Sequence, residues 1–224
     1  MMKAILFDFD GTLIDSSEGI TKSAQYALAH FGIEEPNLDD LKKFIGPPLG
    51  GSFQKFYGFS REQADEAVRV YRSRYEKIGL YECRLYPHVK ETICRLKEDG
   101  YLIGLASSKP EVTCRRIMEH LEILDLFDEV VGATHDGRIG TKEEVLLEVL
   151  RRWQQIPRGE MLLVGDTIYD VEGANLVHMK SIGVSFGFGN LDEMRKAGAI
   201  SIIDDMLQCH RRWRYYEESI HDTV

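Results

Sequence analysis

Proline is scarce in this chain, at 6 of 224 residues, and no apolar run approaches the roughly 18 residues that a membrane-spanning helix needs. A Pro-rich or collagen-like chain is thereby excluded. Basic residues are outnumbered, 28 Lys and Arg against 37 Asp and Glu, and no Lys/Arg block is long enough to track a phosphate backbone, so nucleic acid and anionic membrane surfaces are poor partners. Cysteine is sparse as well: Cys83, Cys94, Cys114 and Cys209 form no C-x-x-C pair and have no His-rich companion segment. They read as free, mostly packed thiols rather than a zinc site or a disulfide framework. Met1-Met2-Lys3 runs directly into Ala4–Phe7 and then acidic residues, which leaves no room for a signal-peptide apolar region and points to a cytoplasmic protein. What remains, 43% hydrophobic and 29% charged, is ordinary globular composition at a length that suits one core plus an added module.

The short apolar runs Ala4–Phe7, Leu102–Ala106, Val130–Val131, Leu162–Val164, Ile182–Val184 and Ile200–Ile203 are bounded by Gly, Ser or Asp. Such runs fit strands buried on both faces of a parallel sheet. Helical patterns lie between most of them, at Pro87–Asp99, Pro110–His120 and Thr141–Trp153, so the expected fold is α/β with a doubly wound parallel sheet. Asp15 to Tyr86 breaks the alternation, with no convincing strand. Ile20, Ala24, Ala27, Leu28 and Phe31 recur at helical spacing, as do Ala64, Ala67, Val68, Tyr71, Tyr75 and Ile78. Ser60-x-x-Gln63 is a capping-box pattern, and Asn37 suits the start of a shorter helix before Gly46-Pro47-Pro48. The expected organisation is a core of residues 1–14 and 87–224 with a helical insert over 15–86. The insert holds 10 basic and 11 acidic residues against 18 and 26 elsewhere, which concentrates the negative charge in the core, where a cation would be welcome. The tail from Met206 to Val224, with Trp213, Tyr215 and Tyr216 among Arg211, Arg212 and Arg214, reads as a final helix on the sheet.

The first strand runs into Asp8-Phe9-Asp10-Gly11-Thr12. Ligands of open parallel sheets collect outside the carboxyl ends of the strands, and carboxylates at i and i+2 of a strand share a face. Asp8 and Asp10 are therefore expected to look into one crevice, where a cation relieves their repulsion. A second pair, Asp166 and Asp170, follows another strand end. Four carboxylates make a hard oxygen site that suits Mg²⁺ better than Zn²⁺. Helix capping explains Asp166 alone, but not Asp8 and Asp10 together. Ser107 and Ser108 stand at a third strand end, where a hydroxyl and helix-entry amides hold an anion. An N-cap serine and, for Lys142 at the next helix start, a solvated lysine are the plain alternatives. Together the residues supply nucleophile, anion holder, cation and metal ligands.

Asp8–Thr12 (DFDGT), Ser107, Lys142 and Gly165–Asp170 (GDTIYD) match in order and spacing the four motifs of the haloacid dehalogenase superfamily, which the chain resembles over nearly its whole length. The helical insert between the first two motifs resembles the cap of the phosphoglycolate phosphatase and β-phosphoglucomutase branch. Phe44–Leu49, Leu105–Pro110 and Gly183–Gly189 are most similar to phosphoglycolate-phosphatase-type and nucleotidase-like members. Two positions depart from the pattern: Glu143-Glu144 follows the lysine where Pro is frequent, and Ser108 stands where Asn is common. The resemblance implies a Mg²⁺-dependent phosphatase for a small-molecule phosphomonoester. Asp8 would be the nucleophile and Asp10 the acid and base, with Ser107, Ser108 and Lys142 binding phosphate. Mg²⁺ would be held by Asp8, the Asp10 main-chain carbonyl and Asp166, with Asp170 acting through water or Lys142. Asp15–Ser17 and Glu82–Pro87 would be hinges. Lys42, Lys43 and the Gly46–Leu49 turn are candidates for cap selectivity, with solvated surface lysines as the plain alternative.

Two further readings compete. A sugar-phosphate mutase would use the same core and return the phosphoryl group to a sugar. A receiver-type phosphoacceptor module would gather similar groups, but Asp8 in the first strand, Asp10 at i+2 and the large insert oppose it. A dehalogenase has no need of Asp10 or a metal.

Overall fold

The computed structural model describes residues 3–134 and 136–209. The chain divides into two compact units, Met1–Ile14 with Leu85–Val224, and Asp15–Arg84.

The first unit is built on a six-stranded sheet. Strands β1 (Ala4–Phe7), β4 (Leu102–Pro110), β5 (Glu129–Ala133), β6 (Met161–Gly165), β7 (Lys180–Val184) and β8 (Ser201–Ile203) lie in the order β5-β4-β1-β6-β7-β8. Every pairing is parallel, with Ala4 opposite Leu102 on one side and Met161 on the other. All four β1 residues are fully buried, as a strand covered on both faces must be. β1 is also where strand order reverses, since the chain winds first to β4 and β5 and later to β6, β7 and β8. Whatever follows β1 therefore stands at the switch point of the sheet.

Among the described residues, five helices accompany these strands: α4 (Val89–Glu98), α5 (Glu111–His120), α6 (Lys142–Arg152), α7 (Ile168–Leu176) and α8 (Leu191–Ala197). One core cluster joins Leu6, Ala106 and Val131 of the sheet to Val145, Leu146 and Val149 of α6, with Trp153, Met161 and Leu163. Full burial of each Leu or Val contributes about 1.5–3 kcal/mol. The start of α6 is set locally. Thr141 Oγ1 accepts the Glu144 N–H (3.2 Å), and the Glu144 carboxylate accepts the Thr141 N–H (3.0 Å). Glu144 therefore serves as the third residue of a capping box, which gives the acidic pair after Lys142 a structural use.

The second unit is helical: α1 (Ser17–His30), a 3₁₀ turn at Leu38–Phe44, α2 (Leu49–Tyr57) and α3 (Arg61–Tyr75). Ser60 and Gln63 close the expected capping box on α3, and Asn37 accepts the Asp39 N–H to open the 3₁₀ turn. Ile20, Ala24, Ala27 and Leu28 are buried as their spacing predicts, whereas Ile78 lies beyond α3 and is 53% exposed. α2 was not expected. Gly50 and Gly51 in its first turn weaken the helical signal, while burial of Phe53 supplies the packing that overrides propensity. The connections also differ from expectation by carrying two minimal strands, β2 (Ile14–Asp15) and β3 (Arg84–Leu85), which pair as a two-stranded sheet. Asp15 accepts from Ser17 and pairs with Arg84 at 2.7 Å, and Glu82 is gripped by Arg74 and Lys22.

Residues 210–224, most of the tail expected to form a final helix, lie outside the described residues; Met206 and Cys209 before them are buried. Among the described residues no helix is long and apolar enough to cross a membrane.

Candidate active site

Asp8 follows β1 directly, and its N–H continues the ladder by donating to Val164 O (2.8 Å). Its carboxylate lies beside Asp166, just past β6, and Asp170 in the first turn of α7. One oxygen from each of the three falls within 4.8 Å of the others. Lys142, the first residue of α6, brings Nζ to 2.6 Å from Asp8 Oδ1, 2.8 Å from Asp170 Oδ1 and 2.8 Å from the Ala106 carbonyl. Gly173 makes this approach possible, since a Cβ there would stand 2.6 Å from Lys142 Cγ.

Three carboxylates against one ammonium leave an excess of negative charge in a buried place. Burial is the largest influence on Asp8 and raises its carboxyl to about 6; Lys142 opposes this, and Asp170 and Asp10 add to it. Asp166 is raised well above the ordinary carboxylate range, again by burial first and then by Asp170 and Asp8. Burial works against the charge on Lys142, but Asp170 and Asp8 outweigh it and hold the ammonium above the ordinary lysine range.

The two acids of the GDTIYD segment differ in their bonds. Asp170 Oδ2 accepts the Thr167 N–H (2.9 Å) and hydroxyl (3.0 Å) while Oδ1 meets Lys142, so Asp170 both caps α7 and buttresses the lysine. The helix-capping role considered for Asp166 thus belongs to Asp170. Asp166 Oδ2 accepts the Phe188 N–H (2.8 Å), whereas Oδ1 is buried without a hydrogen-bond partner among the described residues. An orphaned buried carboxylate oxygen beside two further carboxylates is what a hard divalent cation such as Mg²⁺ would satisfy. Glycines leave room for the Asp166 carboxylate. A Cβ on Gly11 (φ 84°) would fall 2.0 Å from Asp166 Oδ2, and one on Gly187 2.5 Å from the same atom.

Ser107 is buried in β4, and its hydroxyl accepts the Lys109 N–H (3.3 Å). Ser108 is exposed. Asp10 does not enter the carboxylate trio. Past Phe7 the chain is already turning: the N–H groups of Thr12, Leu13 and Ile14 all converge on the Phe9 carbonyl, so strand alternation no longer governs which way a side chain points. The Asp10 carboxylate instead meets Lys109 Nζ at 2.8 and 2.9 Å. In the helical unit, Lys42 pairs with Asp39 (2.8 Å) and Lys43 lies over the rings of Phe56 and Tyr57, 5.3 and 4.7 Å from their centroids.

Lys109 and the Phe188 amide were not singled out from sequence. The signals were present: a lysine inside the Ser107–Pro110 segment, and the closely spaced Gly187 and Gly189.

The sequence pattern of the haloacid dehalogenase-like hydrolases matches residues 5–184, from β1 through β7 and across the whole helical insert. The chain belongs to that family. This haloacid dehalogenase-like hydrolase is 42% identical over 191 residues to a 5'-nucleotidase of Pseudomonas aeruginosa, covering 85% of this chain and 86% of the relative. It is 34% identical over 192 residues to the tyrosine-protein kinase PtkA of Mycobacterium tuberculosis, covering 86% of this chain but only 65% of that relative. Among solved structures, a predicted phosphatase from Clostridium acetobutylicum superposes with a TM-score of 0.89 at 38% identity, covering 96% of this chain and 99% of that one.

Proposed function

We propose that this protein hydrolyses a small phosphomonoester with Mg²⁺, carrying the phosphoryl group transiently on Asp8. The observation that carries the reading is the buried trio Asp8, Asp166 and Asp170 closed by Lys142 at the switch point of the sheet. Burial raises the Asp8 carboxyl, and Lys142 opposes this by favouring the ionised form that a nucleophile needs. Lys142 pins its Oδ1, which orients the carboxylate. Attack of Asp8 on phosphorus forms a carboxylate–phosphorus bond and breaks the ester bond, and the departing oxygen takes a proton from Asp10. Water then attacks phosphorus, returns its proton to Asp10 and releases phosphate with Asp8 restored. Ser107 and Lys142 stabilise charge on the transferring oxygens. The carboxylates of Asp8 and Asp166 and the Asp10 main-chain carbonyl would hold Mg²⁺, with Asp170 acting through Lys142. When bound, Mg²⁺ supplies positive charge that neutralises the phosphate oxygens.

Residues 15–86 serve in this reading as the cap that governs selectivity, with Lys42 and Lys43 as candidates. The 42% identity to a 5'-nucleotidase favours a nucleotidase-like over a phosphoglycolate-like substrate. Transfer to an acceptor hydroxyl is the second reading, favoured by the relative named a kinase. A panel of nucleoside 5'-monophosphates, phosphoglycolate and glucose 1-phosphate, with and without Mg²⁺, tests both. Mg²⁺-dependent phosphate release supports hydrolysis. Isomerised sugar phosphate without phosphate release supports transfer, and no reaction on any member rejects both.

A further inference from the structure

The ion pair between Lys109 and Asp10 joins residues 99 apart in sequence, and both oxygens of the carboxylate are engaged, at 2.9 and 2.8 Å. Both side chains are largely enclosed, 10% and 19% exposed. Enclosing such a pair costs desolvation that its attraction does not reliably recover, so its placement asks for a use.

The backbone is arranged to deliver the lysine. Along β4 and β5, Ser107 faces Gly132 but the next pairing is Pro110 with Ala133, so Ser108 and Lys109 are extra residues on β4. A bulge of this kind re-aims side chains, and here it turns Lys109 to Asp10 while Ser108 stays exposed. The bulge is held on three sides. Ser107 Oγ accepts the Lys109 N–H (3.3 Å), the buried Cys114 thiol donates to the Lys109 carbonyl (3.7 Å), and β5 closes against it at Gly132, where a Cβ would stand 2.6 Å from that carbonyl. Asp10 is anchored in turn by the Gly11 to Ile14 turn.

We propose that Lys109 is a positioning residue for proton transfer. By gripping both oxygens of Asp10 it sets how that carboxyl is presented to the departing oxygen. This rests on the acid and base role given to Asp10 above. An alkoxide leaves phosphorus only as it gains a proton, whereas a nitrophenolate leaves without one. Loss of Lys109 therefore slows alkyl phosphates and spares aryl phosphates, a selectivity that general loosening of the fold does not produce.

The test measures kcat and KM of the full chain with Mg²⁺ on glycerol 2-phosphate and p-nitrophenyl phosphate, for Lys109→Met, Lys109→Arg, Asp10→Asn and the Asp10→Asn/Lys109→Met pair. Because kcat/KM reports steps up to departure of the alcohol, it isolates the first transfer. Lys109→Met is expected to lose about 10- to 100-fold on the alkyl ester, within the range of a misplaced acid, and about 3-fold or less on the aryl ester. Lys109→Arg, which keeps the charge, recovers part of the alkyl loss, and the double variant is no slower on the alkyl ester than Asp10→Asn. Equal losses on both esters overturn the proposal, as does a KM raised alike on both esters with kcat unchanged, which would make Lys109 a substrate-binding charge. Additive losses in the double variant overturn it too. Should Lys109→Met fail to fold, a Lys109→Arg protein with no bias between the esters overturns it. If Asp10→Asn itself discriminates between the esters while the Lys109 variants do not, only the role of Lys109 falls. If Asp10→Asn does not discriminate, the role of Asp10 falls with it.

Discussion

The two ends of α6 use charge in opposite ways. At its first residue, Lys142 places a cation where the helix dipole disfavours one, among three carboxylates of which two are raised by burial. At its last turn, Arg151 and Arg152 stand where the dipole favours cations, and they draw Glu148 down to about 2. Arg152 also reaches Glu129 (3.0 Å) and Glu111 (3.1 Å). One end gathers buried negative charge around a single ammonium. The other end stabilises the helix that carries Lys142.

The largest expected effect is at the strained end. Asp8→Asn keeps shape and removes the attacking charge, so phosphate release should fall to background while the protein remains folded by circular dichroism. Mg²⁺-dependent turnover by folded Asp8→Asn protein would make the comparison one of structure alone. Division of labour among the acids follows. Mg²⁺ is expected to raise the melting temperature, and Asp166→Ala should weaken that rise, because it removes the orphaned Oδ1. Asp10→Asn should largely preserve that rise while slowing turnover by about 10² to 10⁴. Identical Mg²⁺ titrations would remove the distinction between metal holder and proton carrier.

Lys142→Met sharpens the comparison in terms of stability. It strips Asp8 and Asp170 of their shared partner in a buried place, and breaking such a pair typically costs about 3–5 kcal/mol. Denaturant unfolding without Mg²⁺ measures it. A loss no greater than that from an exposed lysine would mean the trio tolerates its charge unaided.

What the sequence made legible follows the reach of local rules. The six short apolar runs announced the sheet because strands buried on both faces need no alternation, and the capping box at Ser60 is written within four residues. The members of the site were readable because each follows a strand end or opens a helix. Where their side chains point was less so. Asp8 and Asp10 are expected from strand alternation to point the same way; the turn at Phe9 ends that geometry, and Asp10 meets Lys109 while still adding to the negative charge around Asp8. Lys109 itself depends on a bulge between β4 and β5, and a bulge is a property of a pairing that neither strand's sequence displays alone. The Phe188 amide has no side-chain signature at all, leaving only the glycines around it.

The smallest expected effect lies at the stabilising end of α6. Glu148 is lowered from 4.5 to about 2, first by Arg151 and then by Arg152, so the folded state releases its proton more readily than the unfolded state. A depressed carboxyl contributes stability that is fully present above about pH 4.5 and is lost as pH falls toward 2. Its side chain is near the surface, where screening reduces such a pair, and about 1 kcal/mol is the expected contribution. Glu148→Gln should lower unfolding free energy by that amount at pH 7, with the difference from the parent shrinking below pH 4 and narrowing in high salt. Turnover per folded molecule should be unchanged. If Glu148→Gln instead lowers kcat at pH 7 without loss of stability, the two ends of α6 are coupled, and the helix transmits charge placement from its last turn to Lys142.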